Sequence, residues 1–440
     1  MSYTVSQNSV ITSVFSPSNA SFLTCGGTNQ APKSGPWDNF TVGATNFKYI
    51  FNSNNFIIGG ATPTVRGYSS SGTAPTTIKQ FLYNGGNIQY VCGQFSLSSP
   101  TSAVNIMYFN PNLNTDTTGD AAFSNISGIT FTGSPNAVNC MAFLNTTQGA
   151  VDTTKLVIAG RFNQATINSV NSSANIALLN VTTTPSWSIA TLSIPSPVNL
   201  TTTTINSIIV IGTTIYIAGA NGANCLFYSY KTTTSTWTNL LGVTNYPGTI
   251  NVLKKTNTFI AIGGQFTTLG NATNCNNIVL YTTGSSAGNG FTALGTGVTV
   301  VPGTSGYPSL QVFALECLIS TNQLWVGGYF TNAGGLLANS IAIYNITNST
   351  WSVIDRNGDT AGTTTKGLTD FSGGTNPGVV YALNIAAVDT SVIIIGGSFK
   401  TRTTTTSQSS PLDIYNLVKI TTSTTNGTQR NYTLFYPKSQ

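Results

Sequence analysis

Few side chains of this 440-residue sequence could do acid–base or nucleophilic chemistry, and their spacing forms no site. There is no histidine, which removes His-activated nucleophiles, imidazole metal ligands and a histidine proton shuttle. Only ten residues are acidic, and Glu316 is the one glutamate. The cysteines have no CxxC spacing and several lie in apolar segments, so we expect all six to be buried free thiols. They are Cys25, Cys92, Cys140, Cys225, Cys275 and Cys317.

Two short segments resemble the start of a calcium loop. "DRNGD" (355–359) places Asp355, Asn357 and Asp359 at alternate positions, as in an EF-hand. Thr360 and Lys366 stand where that loop needs glycine and glutamate, so a polar turn is the better interpretation, and "NTDTTGD" (114–120) is interpreted in the same way. We predict no catalytic, metal or cofactor-binding residue and no enzyme. An alternative stays open, in which aspartates of different repeats meet at the centre of the molecule for glycoside hydrolysis.

The composition indicates an all-β chain with a polar but nearly uncharged surface. Charged residues make up 6% of the sequence, against about 25% in ordinary soluble proteins. Thr, Asn and Gly are abundant, and these residues favour strands and turns. The net charge is +6, but the basic residues are scattered and form no stripe, so no nucleic-acid partner is expected. The N-terminus has no signal-peptide pattern, and polar residues break the most apolar stretch (205–220), so no export signal or membrane span is expected.

A short motif recurs along the whole chain. An apolar, strand-like run ends in one or two glycines and is often followed by phenylalanine, as in "FIAIGGQF" (259–266). The motif occurs eight times, ending at Gly27, Gly60, Gly93, Gly160, Gly219, Gly264, Gly328 and Gly397. An apolar segment and a turn precede it, and an alternating segment such as "NSIAIYNIT" (339–347) and an aromatic segment such as "STWSVID" (349–355) follow it.

Each repeat therefore contains four short strands separated by turns. Four-stranded units repeated many times in one chain are the sequence signature of a β-propeller, in which each unit packs its face on the next. We predict one propeller of four-stranded antiparallel blades, with seven blades because the first two glycine intervals are short, and with eight as the alternative. The predicted units are 10–76, 77–136, 137–203, 204–246, 247–308, 309–376 and 377–437.

The repeated glycine and phenylalanine are expected to have structural roles. Gly264 would lie on a strand buried on both faces, where backbones crowd and glycine permits both close approach and a positive φ. The phenylalanines that follow the motif would fill the gap between adjacent blades; they are Phe95, Phe162, Phe266, Phe330 and Phe399. A phosphate-binding glycine loop would need a helix after the glycines, and "QFTTLGNAT" (265–273) predicts none.

These repeats resemble kelch-like propellers, and more specifically the propeller repeats of the fungal cortical markers of cell polarity. The resemblance extends repeat by repeat over about residues 10–435. In one repeat it rests on Gly327, Gly328, Phe330, Asn339, Ile341, Ala342, Tyr344 and Trp351. It implies the fold and says little about function, since propellers serve as enzymes, lectins and scaffolds.

We therefore expect a non-catalytic structural or interaction propeller that builds or decorates an assembly surface, for example that of a virion, with other proteins as partners. The alternative is a carbohydrate-binding propeller, because Trp187, Trp237 and Trp351 recur at one place in the repeat. Packing of these tryptophans between blades would explain the same recurrence. The sequence indicates no cofactor and does not reveal the cellular location.

Overall fold

Almost all regular structure in this protein is β-strand. The computed structural model describes residues 10–18, 21–27, 48–51, 55–59, 66–70, 77–83, 88–99, 103–109, 123–133, 136–172, 174–181, 187–190, 201–243, 245–300, 310–354, 367–369, 377–385, 392–403, 412–421 and 431–433. Within these ranges the one helical element is a 3₁₀ turn at Ile319–Thr321. In the described part of the chain, no helix is long and apolar enough to span a bilayer. Both calcium-loop-like segments lie outside the described residues.

The N-terminal third forms a two-stranded and a seven-stranded sheet. The strands are β1 (Val10–Ser18), β2 (Ser21–Gly27), β3 (Lys48–Phe51), β4 (Asn55–Gly59), β5 (Arg66–Ser70), β6 (Thr77–Tyr83), β7 (Gln89–Ser99), β8 (Ala103–Phe109) and β9 (Phe123–Asn125). β1 pairs with β2, and the second sheet has the order β3-β4-β5-β7-β8-β9 with β6 paired to β7. β6 to β9 thus form a four-stranded antiparallel unit in chain order.

Five further four-stranded antiparallel sheets follow. Two of them come from β10 (Thr130–Thr132), β11 (Ala137–Asn145), β12 (Val151–Arg161), β13 (Gln164–Ile167), β14 (Val170–Asn171), β15 (Ile176–Val181), β16 (Trp187–Ala190), β17 (Thr203–Ile211), β18 (Thr214–Asn221), β19 (Asn224–Lys231) and β20 (Thr236–Asn239). The sheets are β11-β12-β15-β16 and β17-β18-β19-β20, and β10-β13-β14 form a small accessory sheet.

The remaining strands repeat this arrangement. They are β21 (Thr249–Lys255), β22 (Phe259–Gln265), β23 (Ile278–Thr282), β24 (Phe291–Ala293), β25 (Val298–Thr299), β26 (Gln311–Leu318), β27 (Gln323–Tyr329), β28 (Asn332–Ala333), β29 (Leu336–Leu337), β30 (Ile341–Asn345), β31 (Thr350–Val353), β32 (Val379–Ile385), β33 (Val392–Thr403), β34 (Leu412–Thr421) and β35 (Asn431–Thr433). They form the sheets β21-β22-β23-β24, β26-β27-β30-β31 and β32-β33-β34-β35, with a second accessory sheet β25-β28-β29.

The first strands of the sheets contact one another in sequence around a ring. β1 contacts β6, and the contacts continue through β11, β17, β21 and β26 to β32, which contacts β1. The protein is a single all-β propeller of four-stranded antiparallel blades, as predicted, and the first strands surround its axis. The seven-blade count and the unit boundaries stay predictions, and the order of these contacts agrees with seven.

A β-bulge in each first strand explains the repeated glycine. In β26, Val312 pairs with Gly328 and Ala314 with Gly327, so Phe313 is an extra residue that has no partner on β27. The same shift occurs opposite the glycine in β1, β6, β11, β17, β21 and β32. A Cβ at Gly328 would lie 2.2 Å from the Gln311 carbonyl oxygen, so close approach is the reason for glycine. The expected positive φ is wrong for this glycine and for Gly264, since neither lies in the left-handed region.

Phe162, Phe266, Phe330 and Phe399 pack between blades, as predicted, and Phe95 is buried. In three of the repeats an asparagine accepts a hydrogen bond from the backbone of the phenylalanine. Phe266 is buried in a cluster that joins residues of the β17–β20 and β21–β24 blades. Its backbone N–H donates to Asn277 Oδ1 at 3.0 Å, while Asn277 Nδ2 donates to the Val298 carbonyl at 3.1 Å. Asn277 has a φ of +73°, which asparagine tolerates better than most residues. Asn105 and Asn175 accept from Phe95 and Phe162 in the same way.

The cysteines serve the core. Cys92, Cys140, Cys225, Cys275 and Cys317 are buried free thiols, as predicted; the side chain of Cys25 lies outside the described part of the structure. Burial raises the pKa of four of these thiols: well above its usual range for Cys140, to about 12 for Cys225, and to about 11 for Cys275 and for Cys317. Since the thiolate is the nucleophile, these groups are poorly suited to covalent catalysis.

Candidate functional site

The bulges place a row of side chains around the propeller axis. The extra residue is the third or fourth of its strand in the first strands from β6 to β32; in β6 it is the exposed Lys79, and the next five side chains lie at the same level. We call these residues the inner arc; they are Asn139, Asn206, Asn251, Phe313 and Tyr381. All five are half-buried.

The three asparagines connect each first strand to the next. Asn139 Nδ2 donates to the Ile205 carbonyl, Asn206 Nδ2 to the Ile250 carbonyl and Asn251 Nδ2 to the Val312 carbonyl, each at 3.0 Å. First strands of neighbouring blades are not paired through their backbones in the described sheets. The amide side chains therefore supply hydrogen bonds where no strand ladder exists.

Aromatic rings replace the amides in the last two blades of the inner arc. The rings of Phe313 and Tyr381 lie 4.9 Å apart between centroids, inclined at 50°. Burial raises the pKa of the Tyr381 hydroxyl, which is therefore protonated at neutral pH. The inner arc is thus continuous over five blades, and its five side chains are uncharged, while the extra residue of the neighbouring first strand β6 is Lys79.

One ion pair bridges two of the same first strands. Lys254 Nζ on β21 lies 2.5 Å from Glu316 Oε1 on β26, and the Glu316 side chain is 11% exposed. Glu316 Oε1 also accepts the backbone N–H of Cys317 at 3.1 Å. In addition to burial, the Glu316 charge raises the pKa of Cys317, and Lys254 opposes this effect. The only glutamate of the chain is therefore engaged in inter-blade structure.

Of the three tryptophans at the recurring position, Trp187 and Trp351 pack between blades, whereas Trp237 is half-buried against Tyr230 of its own blade. Trp187 is buried and meets Tyr90 of the preceding blade edge-on at 6.1 Å. Trp351 packs on Tyr344 at 5.1 Å, and its Nε1 donates to the Leu294 carbonyl of the preceding blade at 2.9 Å. For these two residues the structure supports packing between blades.

A second surface lies where the second strand of each blade leads into the third, and we call it the hairpin end. Both accessory sheets are built there, from β10, β13 and β14 and from β25, β28 and β29. Large exposed aliphatic residues concentrate in the connections of this end: Val170 is 48% exposed, Val243 56%, Leu336 44% and Leu337 37%. Val151 and Ile319 are the exposed large aliphatics described at the opposite end.

The chain is similar to solved structures at low sequence identity. No protein-family model matches the chain, and neither does any curated protein. The RRP9 WD40 repeats match with a TM-score of 0.48 and 9% identity, covering 89% of this chain and 88% of that one. U3-55K matches at 0.47 and 10%, covering 89% and 90%, and the β-propeller domain of Myceliophteria thermophila Cps50 (Swd1) at 0.42 and 8%, covering 79% and 92%.

Sequence reasoning missed the inner arc, although a signal for it exists. In each of the five strands a valine or isoleucine precedes the bulged residue, as in "VNC" (138–140), "INS" (205–207), "INV" (250–252), "VFA" (312–314) and "VYA" (380–382). A polar or aromatic residue recurring at one place in an otherwise apolar strand indicates a position that leaves the core.

Proposed function

We propose that this protein is a non-catalytic interaction propeller, and that the hairpin end is the surface that contacts its protein partners. The observation that carries this proposal is the concentration of Val170, Val243, Leu336 and Leu337 at one end, where Val170, Leu336 and Leu337 lie on strands of the accessory sheets. Large apolar side chains exposed on one side of a molecule favour a protein contact there.

The absence of catalysis belongs to the same proposal. The structure describes the side chains of two acidic residues, Asp152 and Glu316. Glu316 is ion-paired, and Asp152 accepts hydrogen bonds from the backbone N–H and the hydroxyl of Thr154 near the start of β12. The four described thiols with raised pKa values are held protonated by burial. These groups are thus engaged in structure.

The partners are proposed to be proteins of a larger assembly, and a virion surface is the setting that we propose. The support is compositional: a nearly uncharged, hydroxyl- and amide-rich chain suits an inert exterior. The kelch-like character of the repeats is likewise proposed from the glycine, phenylalanine and asparagine positions. The carbohydrate-binding alternative based on tryptophans loses its support at Trp187 and Trp351, which pack between blades.

Paired variants of the two ends test the proposal. Leu336→Ser with Leu337→Ser alters the hairpin end, and Val151→Ser with Ile319→Ser is the matched change at the opposite end. Both variants should fold, because all four side chains are exposed. Cross-linking in the native source, followed by mass spectrometry, should recover the same partners with the parent and the opposite-end variant. The hairpin-end variant should lose these partners. Loss of those partners only in the opposite-end variant would overturn the choice of surface.

A further inference from the structure

The inner arc has unused hydrogen-bond acceptors. Each of its asparagines donates Nδ2 to a backbone carbonyl, and a carbonyl can only accept, so the amide orientation is settled by its partner. Asn251 Nδ2 also donates to Gln311 Oε1, and Asn206 Nδ2 to Thr249 Oγ1. The Oδ1 atoms of Asn139, Asn206 and Asn251 accept no hydrogen bond from any described residue, and none is a buried unsatisfied atom. Three carbonyl oxygens on adjacent strands are therefore available to donors in solvent.

The same level continues into two partly exposed aromatic rings. Asn251 donates to Val312, the residue next to Phe313, and Phe313 contacts Tyr381 on the following first strand. Acceptors and apolar ring surface thus stand side by side, and none of the five residues is charged. The bulges lie three or four residues from the start of each first strand, so the inner arc opens toward the hairpin end.

We propose that the inner arc binds a carbohydrate. Sugar hydroxyls would donate to Asn139, Asn206 and Asn251 Oδ1, and the C–H face of the sugar ring would lie against Phe313 or Tyr381. Sites of this type combine apolar and aromatic surface with a few placed polar groups that fix orientation. The three acceptor oxygens favour a ligand rich in hydroxyl groups, and the exposed Lys79 on the adjacent strand β6 disfavours an ammonium ligand. The site differs from the recurring tryptophan position, and the proposal does not depend on the protein contacts of the hairpin end.

Saturation-transfer NMR on the full chain tests this proposal with glucose, galactose, mannose and N-acetylglucosamine as probes, and with glycerol as the control polyol. At least one sugar should bind. Phe313→Leu keeps an apolar side chain but removes the ring face, and affinity should fall by about tenfold or more, which corresponds to about 1.4 kcal/mol. The matched control is Tyr230→Leu, which disrupts a similar ring pair with Trp237 at 4.7 Å in another part of the propeller. Its affinity should stay within about twofold of the parent.

Several results would overturn the proposal. They are no binding of any sugar, glycerol binding as strongly as the sugars, or an equal loss of sugar affinity in Tyr230→Leu. The last result would indicate that the sugar binds at the tryptophan position instead. Melting curves establish that each variant is folded. If Phe313→Leu does not fold, Tyr381→Leu and Asn206→Gln carry the same test. If none of the three variants folds, the inner arc is needed for folding and the proposal fails. Loss of sugar binding together with unchanged partner recovery would leave the hairpin-end proposal standing.

Discussion

A valine at Gly328 tests the explanation of the repeated glycine most directly. The first side-chain carbon would lie 2.2 Å from the Gln311 carbonyl oxygen and 2.9 Å from Val312 Cα. Both neighbours are backbone atoms of the bulged strand β26, so no rotamer change can relieve the contact. The strand must move, although the bulge also positions Phe313 and the Val312 carbonyl that accepts from Asn251.

The expected loss of stability is several kcal/mol. Overpacking a tight core costs about 1–3 kcal/mol, and backbone strain of the displaced bulge adds about 1–3 kcal/mol. Unfolding entropy of about 2.1 cal/mol/K per residue converts this sum into a fall of roughly 2–6 °C in Tm for a chain of this length. Alanine at Gly328 should also destabilise, whereas Gly to Ala in an ordinary strand gains about 0.5–1 kcal/mol.

Thermal melts followed by circular dichroism measure the effect. Ser352→Val is the matched control, since it introduces the same side chain at an exposed position on β31 and should leave Tm nearly unchanged. Gly335 is a poorer control because its φ of +86° strains any L side chain, although nothing lies within 4 Å of a Cβ there. If Gly328→Val melts within about 1 °C of the parent, the predicted clash is absent and the close-approach explanation is wrong.

Three further predictions concern the polar groups of the interior. Asn277→Ala should destabilise the protein by about 2–4 kcal/mol, because it removes two buried hydrogen bonds and leaves their partners unsatisfied. The exposed Asn289→Ala should change the urea midpoint little, and equal effects of the two variants would contradict a stabilising role of the Asn277 hydrogen bonds. Lys254→Met should cost at least about 1 kcal/mol more than Lys255→Met, because only Lys254 pairs with a buried carboxylate, and similar unfolding free energies would show that the ion pair contributes nothing. Burial raises the pKa of Cys275 from 9.0 to about 11, so its contribution to stability is complete below about pH 9 and is lost as pH rises toward 11. Urea midpoints across that range should fall less for Cys275→Ala than for the parent; an identical fall would refute this reasoning.

The prediction of the fold succeeded because residues close together in the sequence define the repeat. The repeat is defined by apolar runs that end in glycine, by the phenylalanine that follows them and by the turns between them, all of which are properties of neighbouring residues. The four strands of each blade, their antiparallel order and the packing of Phe266 between blades could therefore be predicted from the sequence. The function of glycine could be read only in part. Close approach was predicted correctly, but the predicted positive φ was wrong, because the constraint comes from the partner strand and not from the turn.

The sequence by itself determined that this chain is a propeller of four-stranded units with buried thiols and few groups for catalysis. Only the tertiary structure decided which side chains meet: the inner arc brings together residues separated by 242 positions from Asn139 to Tyr381, and Glu316 finds Lys254 on another blade. The physical reason is the bulge. One extra residue per first strand shifts the alternation of side chains, so that a position that the period-two pattern assigns to the core turns toward the axis. Ring closure then places the five shifted positions at one level.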